Sequence, residues 1–244
     1  NFRLGRLYEV MQENKNSITK ERTELQELIS DISHQVKTPI ANLKMINSTL
    51  TEQEVPVQKQ KEFLAAQAGQ IDKLDFLMQA MIKTSRLETG VISLEKKEQP
   101  IYDTLAAALG GILLDAEKKQ IDIQVDCSEH LAACHDRKWT GEALFNILDN
   151  AVKYTPAGGQ IRVQVEAWEM YLKIDIADTG IGIPEQHQGT IFKRFYREDA
   201  VHDVDGIGIG LYLTREIISL QGGYIRVASE VGKGSVFSVF LLRK

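Results

Sequence analysis

Cysteine, proline and aromatic residues are scarce in this chain of 244 residues, which also lacks any long apolar run. Its two cysteines cannot build a disulfide framework and are typical of a reducing compartment. Because no stretch of about 18 apolar residues occurs, we expect no membrane contact within this fragment. The sequence also has no signal peptide pattern. Basic residues number 29 against 34 acidic ones, which excludes a basic nucleic-acid-binding domain, so we expect no nucleic acid partner.

Hydrophobic and charged residues are present in ordinary amounts, at 43% and 26%. This composition supports one large core or two small ones. The sequence starts at Asn1 rather than methionine, and its first residues already have helical periodicity. We interpret it as a fragment of a longer protein.

Hydrophobic residues recur every seven positions in the first half of the chain, the spacing of a coiled-coil or bundle seam. The rows on the first helix are Leu4, Met11, Ile18, Leu25, Ile32, Pro39 and Ile46, and Ile29, Val36, Leu43 and Leu50. A turn is predicted at 51–58, followed by a second helix to about Glu88, with Gly90 as its stop. The rows on this second helix are Val57, Leu64, Ile71 and Met78, and Leu74 and Met81. Because two such helices cannot bury their seams alone, we expect the hairpin to form a four-helix bundle with a copy of itself, as a homodimer.

After about residue 90 the pattern changes to alternating segments typical of strands, with helices and glycine-rich segments between them. The predicted strands are 91–98, 121–127, 160–168, 171–177, 224–229 and 235–242. The predicted helices are 101–119, 136–154 and 210–221. Since strands and helices do not strictly alternate, we predict an α+β fold with the helices on one face of a mixed sheet.

One histidine of the first helix has an unusual setting. His34 lies two residues after Ile32, about 200° around the helix, so it points away from the seam. Pro39 lies inside the same helix, where a proline costs about 3 kcal/mol. His34 is therefore either an incidental surface histidine beside a tolerated proline or an exposed imidazole nucleophile that is usable near neutral pH.

Three polar residues share one face of the predicted helix 136–154. Asn146, Asn150 and Lys153 follow one another at the spacing of successive helical turns. Two carboxamides and an ammonium suit a phosphate group with bound Mg²⁺. The alternative is an ordinary polar outer face.

The second half also contains three glycine-rich segments. Their glycines are Gly180 and Gly182, then Gly206, Gly208 and Gly210, then Gly232 and Gly234. Asp178 ends a strand just before the first segment, where its carboxylate could read an amino group such as that of adenine. The second segment opens a helix whose backbone amides could hold phosphate. No segment fits the P-loop or the Rossmann pattern, and each taken singly is an ordinary turn.

The segment CSEHLAACH brings together Cys127, His130, Cys134 and His135, which suggests a zinc site. Its spacing matches no common zinc finger, because a finger needs two separated pairs of ligands. We therefore interpret the segment as a strand end followed by a loop and the start of a helix.

Taken together and in order, these motifs resemble those of the sensor histidine kinases of two-component signalling. HQVKTP, which contains His34, resembles the phospho-acceptor box, NILDNAVKYTP the N box and DTGIG the first glycine box. IFKRFYR resembles the phenylalanine-rich box, GIGIGL the second glycine box and GKGS the last one. The resemblance extends from about Ser17 to the end of the chain.

The resemblance implies a multidomain fold. Residues 1–16 are expected to form an N-terminal coiled-coil signalling helix, and 17–90 an all-α dimerisation and histidine phosphotransfer domain with an antiparallel hairpin. Residues 91–244 are expected to form the catalytic ATP-binding domain, a two-layer sandwich shared with gyrase, Hsp90 and MutL. The implied cofactors are ATP and Mg²⁺. The fragment would be the cytoplasmic portion of a membrane-anchored sensor.

The resemblance also implies a reaction. His34 would take the γ-phosphoryl group of ATP and pass it to an aspartate on the receiver domain of a response regulator. Thr38 would orient a water for the reverse, phosphatase activity. Asn146 and Asn150 would bind Mg²⁺.

The implied nucleotide site draws on five of the motifs. Its residues are Asn146, Asn150, Lys153, Tyr154, Asp178, Gly180, Gly182, Phe195, Arg197, Gly206, Gly208, Gly210, Leu211 and Ser235. Lys153 and Tyr154 would contact the phosphates, and Asp178 would recognise adenine with support from Ser235. A lid at 198–205 would follow an anchor formed by Phe192, Phe195 and Tyr196, with Arg197 reaching the γ-phosphate.

One residue departs from the family pattern. The family commonly has Glu or Asp directly after the histidine, whereas this chain has Gln35. An amide cannot accept the imidazole proton at ordinary pH. Either neutral His34 attacks without that base or another group serves, of which Asp31 is the nearest carboxylate. We expect Gln35→Glu to raise the rate of autophosphorylation.

Two other classes remain as alternatives. An ATP-hydrolysing clamp would need a water-activating Glu where Asn146 stands, and it would have no use for a long hairpin carrying His34. An ATP-binding dimeric scaffold with phosphatase but little kinase activity is consistent with Gln35.

Overall fold

The computed structural model describes residues 2–91, 93–198 and 206–243. They belong to two compact units, Asn1–Gln79 and Ala80–Lys244. In these described ranges, no helix combines the length and the apolar character needed to cross a membrane.

The first unit is built from two long helices that form a hairpin. Helix α1 spans Phe2–Glu52 and helix α2 spans Val57–Glu88, the last turns of which belong to the second unit. Helix α1 continues through Pro39, which is buried. The hairpin that the seven-residue spacing predicts is therefore present.

The connection between the two helices is shorter than the turn predicted at 51–58. Only residues 53–56 lie outside the helices. The Thr51 hydroxyl donates to a carbonyl one turn earlier at 2.9 Å, and the Gln60 amide donates to the Pro56 carbonyl at 3.0 Å. These bonds extend both helices into a segment whose sequence has no clear period.

Within one chain the hydrophobic rows of the hairpin are only partly covered. Ile46 on α1 and Leu77 on α2 are 7% and 3% exposed. The side chains of a whole row on α2 are between 51% and 70% exposed, namely Val57, Leu64, Ile71 and Met78. A contiguous apolar stripe of this kind indicates a surface for another protein chain.

The second unit contains a five-stranded mixed sheet and a separate two-stranded sheet. The strands are β1 Lys97–Pro100, β2 Asp122–Asp126, β3 Ala132–His135, β4 Gln160–Ala167, β5 Tyr171–Asp178, β6 Tyr224–Glu230 and β7 Gly234–Leu242. The large sheet has the order β2-β4-β5-β7-β6, in which only the β2–β4 pair is parallel. Strands β1 and β3 pair antiparallel. In the large sheet Asp178, the last residue of β5, lies opposite Ser235 of β7.

Helices cover one face of the large sheet, as predicted. They are α3 Ile101–Gly110, α4 Leu113–Lys118, α5 Arg137–Tyr154 and α6 Gly210–Leu220. Helix α5 begins where the Asp136 carboxylate accepts the Trp139 amide at 3.1 Å. Its apolar face, including Leu144, Ile147 and Leu148, is fully buried in the core. The opposite face of α5 is left to carry polar side chains.

Two predicted elements of this unit are wrong. The strand predicted at 91–98 is reduced to β1, which starts only at Lys97. The helix predicted at 101–119 breaks into α3 and α4 after Gly110. At Gly111 an added Cβ would lie 2.7 Å from the Phe145 ring, so the contact with α5 requires glycine there.

Strand β3 was not predicted, and it changes the interpretation of the Cys/His segment. His135 on β3 is fully buried. Its Nδ1 contacts the Ala133 carbonyl at 3.0 Å and its Nε2 contacts the Thr104 hydroxyl at 2.9 Å. Both ring nitrogens are therefore engaged by protein groups, and His135 is a core residue rather than a metal ligand.

Candidate functional site

The first candidate residue, His34, is exposed on α1 while Pro39 of the same helix is buried. This is the orientation that the helical spacing predicts. The Thr38 hydroxyl lies one turn further on and donates to the His34 carbonyl at 3.4 Å, and Gln35 is half-buried. The imidazole is accessible to a reactant from outside the helix.

The second candidate group lies on the polar face of α5. Asn146, Asn150 and Lys153 are all half-buried. The Asn146 amide donates to the Gly210 carbonyl at 3.3 Å, which ties this face to the first residue of α6. The Lys153 ammonium lies 2.6 Å from the Asp149 carboxylate, one turn earlier. The face therefore presents carboxamide groups and an ammonium near the start of another helix.

Asp178 is held in position by two backbone amides. The Gly180 amide donates to its Oδ1 at 2.8 Å and the Ser235 amide does so at 3.3 Å. Burial raises the pKa of the Asp178 carboxyl above its ordinary value, while the two amides oppose this shift. Within the described part of the chain only Oδ1 accepts protein hydrogen bonds, so Oδ2 is available to a donor on a ligand.

Two glycines after Asp178 allow the turn to sit against neighbouring backbone. An added Cβ on Gly180 would lie 2.6 Å from the Tyr154 carbonyl oxygen. On Gly182, whose φ is +72°, it would lie 2.1 Å from the Glu230 carbonyl oxygen. The Tyr154 carbonyl also accepts the Ile181 amide at 3.3 Å. The end of α5 and the turn after β5 are thus packed backbone against backbone.

Ser235 is buried and joins this turn through a second serine. Its hydroxyl lies 3.0 Å from that of Ser229, and Ser229 also donates to the Gly234 carbonyl at 2.8 Å. The Ile183 amide in turn donates to the Ser229 hydroxyl at 2.8 Å. The last glycine-rich segment and the first are therefore connected by a short hydrogen-bond network.

The aromatic segment before the predicted lid packs against the second glycine-rich segment. An added Cβ on Gly208, whose φ is +77°, would lie 2.5 Å from the Tyr196 carbonyl oxygen. Phe195 itself has a φ of +59°, a strained value for an aromatic residue. Phe192 is buried with its ring centre 6.5 Å from that of Phe237. The described residues that flank 199–205 are thus in contact at Tyr196 and Gly208. The predicted lid lies, apart from Glu198, outside the described residues.

The same aromatic segment is anchored to the end of α2 inside the second unit. Arg194 forms an ion pair with Glu88 and donates to the Tyr212 hydroxyl at 2.7 Å, and that hydroxyl donates to Glu88 at 2.6 Å. Burial and the hydrogen bond to Glu88 raise the pKa of the Tyr212 phenol. These three side chains fix the backbone that immediately precedes Phe195.

Helix α6 begins beside the polar face of α5. Its first residue is Gly210, and the preceding Ile209 provides no side-chain cap. Among the described residues no side chain caps the first amides of α6, an arrangement that suits an anion. At the two ends of the second glycine-rich segment, Gly206 is exposed and Leu211 is half-buried. Arg197 is half-buried.

The structure therefore brings three of the predicted sets together in the second unit: Asn146 with Gly210, Tyr154 and Asp178 with Gly180, and Phe195 with Gly208. Sequence reasoning missed Asp149 and Ser229. The helical spacing of Asp149 and Lys153 is a signal that could have identified the ion pair. The Ser229 network depends on strand register, which the sequence does not show.

Two family descriptions match the chain. Residues 24–90 match the His Kinase A (phospho-acceptor) domain, and residues 135–244 match the histidine kinase-, DNA gyrase B- and HSP90-like ATPase. Drug sensory protein A of Synechocystis sp. is 32% identical over 225 residues, which are 86% of this chain and 34% of that protein. Sensor protein SrrB of Staphylococcus aureus is 30% identical over 224 residues, 88% of this chain and 37% of SrrB. The chain thus spans about a third of the length of these curated relatives.

Solved structures show the same fold. The histidine kinase ThkA, in its complex with the response regulator protein TrrA, has a TM-score of 0.75 and 20% identity, covering 93% of this chain and 64% of that chain. The histidine kinase AdeS of Acinetobacter baumannii has a TM-score of 0.70 and 20% identity, covering 86% of this chain and 98% of that chain. The two family matches contain His34 and the residues around Asp178. The chain therefore belongs to the sensor histidine kinases of two-component systems.

Proposed function

We propose that this chain transfers the γ-phosphoryl group of ATP to His34 and then to an aspartate on the receiver domain of a response regulator. The proposal rests on one observation: an exposed histidine in a phospho-acceptor domain and an ATPase-like domain occur in the same chain. In the second domain the Gly180 amide fixes the Asp178 carboxylate, which can accept a further hydrogen bond. Three segments serve this reaction: a signalling helix at 1–16, the phosphotransfer domain at 17–90 and the ATP-binding domain at 91–244.

In the proposed site Asp178 recognises the adenine amino group through Oδ2. The Gly180 and Ser235 amides hold Oδ1, so the carboxylate is fixed before a ligand arrives. A fixed, half-buried acceptor favours a base that carries an amino group over one that carries a carbonyl in the same place. This supports ATP rather than GTP as the phosphoryl donor.

The phosphates are placed between α5 and the start of α6. Lys153 supplies positive charge from α5, with Tyr154 beside it, and Asp149 holds the ammonium in place until phosphate competes for it. The glycines Gly206, Gly208 and Gly210 bring backbone amides close to the phosphates. Arg197 approaches the γ-phosphate from the aromatic segment.

Mg²⁺ fits the polar face of α5. In the described part of the chain the Asn150 carboxamide makes no hydrogen bond, whereas Asn146 uses its amide nitrogen on Gly210 and keeps its oxygen. Half-buried carboxamide oxygens are ligands that Mg²⁺ accepts alongside phosphate and water. When bound, the ion neutralises negative charge on the phosphates.

The chemistry itself is a single displacement at phosphorus. A ring nitrogen of His34 forms a bond to the γ-phosphorus, the bond from that phosphorus to the β,γ-bridging oxygen breaks, and ADP leaves with the oxygen. The proton on the other ring nitrogen is then lost. Because Gln35 cannot accept it, water or Asp31 takes this proton.

The phosphoryl group then passes to the response regulator, and Thr38 serves the reverse reaction. The Thr38 side chain lies one turn from His34 on the exposed side of α1, where its hydroxyl can orient a water. The solved complex of ThkA with TrrA supports a regulator as the partner of such a core.

We also propose that the chain acts as a homodimer. The exposed row on α2 and the exposed Met11, Ile18, Leu25 and Ile29 on α1 are apolar surfaces that a second hairpin would cover as a four-helix bundle. The two curated relatives are about three times longer than this chain, and we propose that it is the cytoplasmic portion of a membrane-anchored sensor.

Incubation with radiolabelled ATP and Mg²⁺ tests the proposal. We expect label on the protein that is labile in acid and stable in alkali, that disappears in His34→Ala and that remains in His130→Ala, a variant of another exposed histidine. Label that persists in His34→Ala contradicts the proposal. Nucleotide binding without any label selects the second candidate, a scaffold with phosphatase but little kinase activity, which Gln35 favours.

A further inference from the structure

Lys119, which directly follows α4, donates to three backbone carbonyls at the end of α5. Its ammonium lies 2.8 Å from the carbonyl oxygens of Val152 and Lys153 and 3.2 Å from that of Thr155. Lys119 is half-buried. Lys119 thus supplies hydrogen-bond donors to the last carbonyls of α5, although it lies more than thirty positions earlier in the chain.

This contact has a clear physical basis. The last carbonyls of a helix have no partner inside the helix, and they form the negative end of its dipole. An ammonium group has three donors and a positive charge, so it matches three such carbonyls. The backbone of Lys119 adds to the contact, because its carbonyl accepts the Gly158 amide at 2.9 Å. The side chain and the backbone of one residue thus hold both the helix end and the turn that follows it.

The end of α5 held in this way belongs to the proposed nucleotide site. It carries Lys153 and Tyr154, and the Tyr154 carbonyl accepts the Ile181 amide and packs against Gly180. Gly180 in turn donates to Asp178. A shift of the helix end would therefore move the ammonium proposed for phosphate and the carboxylate proposed for adenine.

We propose that Lys119 is a positioning residue of the nucleotide site, which acts through the backbone of α5 without touching ATP. The proposal rests on the proposed function of Asp178 and Lys153 as ATP contacts. Loss of the ammonium leaves three carbonyls to water and lets the helix end move relative to the turn at Gly180. Because small displacements of binding groups are costly, we expect nucleotide affinity to fall about tenfold or more.

The neighbouring residue provides a matched control. Lys118 has the same side chain, but it is 75% exposed and pairs with Asp115 at 2.8 Å on the surface of α4. Lys118→Met therefore removes a charge of the same sign from the same turn without touching α5. We expect it to leave nucleotide affinity within twofold of wild type.

The experiment is calorimetric titration of ADP with Mg²⁺ into wild type, Lys119→Met, Lys119→Arg and Lys118→Met, well below the melting temperature of each. The dissociation constant is expected to rise about tenfold in Lys119→Met, less in Lys119→Arg, and not in Lys118→Met. Autophosphorylation is expected to show a raised KM for ATP with kcat little changed, a split that a loss of stability alone would not produce.

The outcomes separate the two proposals. No binding by wild type overturns the proposed function, and this inference with it. Binding by wild type and equally tight binding by folded Lys119→Met overturns the positioning role and leaves the proposed function intact. If Lys119→Met does not fold, Lys119→Gln takes its place with the same two outcomes, because the glutamine amide retains two N–H donors without the charge.

Discussion

Replacing Asp178 by asparagine is expected to weaken ATP binding. The substitution keeps the shape of the side chain and an oxygen for the Gly180 and Ser235 amides, so the turn is expected to stay in place. It exchanges Oδ2, the acceptor proposed for the adenine amino group, for an NH₂ donor. A hydrogen bond to a charged group contributes about 1.5–3 kcal/mol, which corresponds to a loss of roughly 10- to 150-fold in affinity.

The same substitution is expected to stabilise the second unit when no nucleotide is bound. Burial raises the pKa of Asp178 above 3.8, so folding favours its protonated form and the ionised form is a cost at neutral pH. The stabilising contribution of the protonated carboxyl is present below pH 3.8 and is lost as the pH rises through the folded-state pKa. Asparagine removes this cost, so we expect a melting temperature above that of wild type, and each 1 kcal/mol of added stability raises it by about 2–4 °C.

Calorimetric titration and thermal unfolding of one preparation measure both effects. Asp175→Asn is the control, because Asp175 lies on the same strand but pairs with Lys173 at 2.6 Å outside the site. It is expected to leave nucleotide affinity unchanged. Unchanged affinity in Asp178→Asn, or a fall in both affinity and melting temperature, would refute the reasoning, since the latter indicates a structural role only.

Further predictions concern single residues. Gln35→Glu is expected to speed phosphorylation of His34, because a carboxylate accepts the proton that an amide cannot; an unchanged rate at saturating ATP contradicts this. Gln120 has a φ of +55°, so Gln120→Gly is expected to raise the free energy of unfolding in urea by about 0.5–1 kcal/mol, whereas a decrease contradicts the strain. Burial lowers the pKa of His135 below its ordinary value of 6.5. On acidification the unfolded chain therefore takes up a proton at a higher pH than the folded chain, and the free energy of unfolding falls as the pH drops below about 6.5. His135→Asn is expected to flatten this dependence in urea titrations at several pH values, and an unchanged slope contradicts it. Gly182→Ala is expected to abolish ADP binding, because its Cβ would overlap the Glu230 carbonyl; wild-type affinity in this variant contradicts the packing.

Long elements with a clear period were predictable from the sequence. Helix α5 and strands β4 and β5 lie within one residue of their predicted bounds, because buried positions recur at helical or alternating spacing along their whole length. Strands β1 and β3 are four residues each and owe their conformation to one another. Such pairs leave no local signal, and neither does the close approach of Gly111 to Phe145, which lies far along the chain.

The site divides in the same way. The types and order of its residues could be read from the sequence, because each box combines glycines with a polar group at fixed spacing. Contacts between separate elements of the fold could not be predicted. Examples are the hydrogen bonds from the Lys119 ammonium to the end of α5 and the contact between the Ser229 and Ser235 hydroxyls. The exposure of His34 was predictable because a helix relates side-chain direction to position.

Locating the transferred phosphoryl group tests the central claim most directly. The protein is incubated with ATP and Mg²⁺, digested at neutral or alkaline pH, and its peptides are analysed by mass spectrometry. The account predicts one phosphorylated position, His34, and no phosphorylated peptide when ADP replaces ATP. A phosphoryl group on any other residue, or release of inorganic phosphate without any modified peptide, would contradict it.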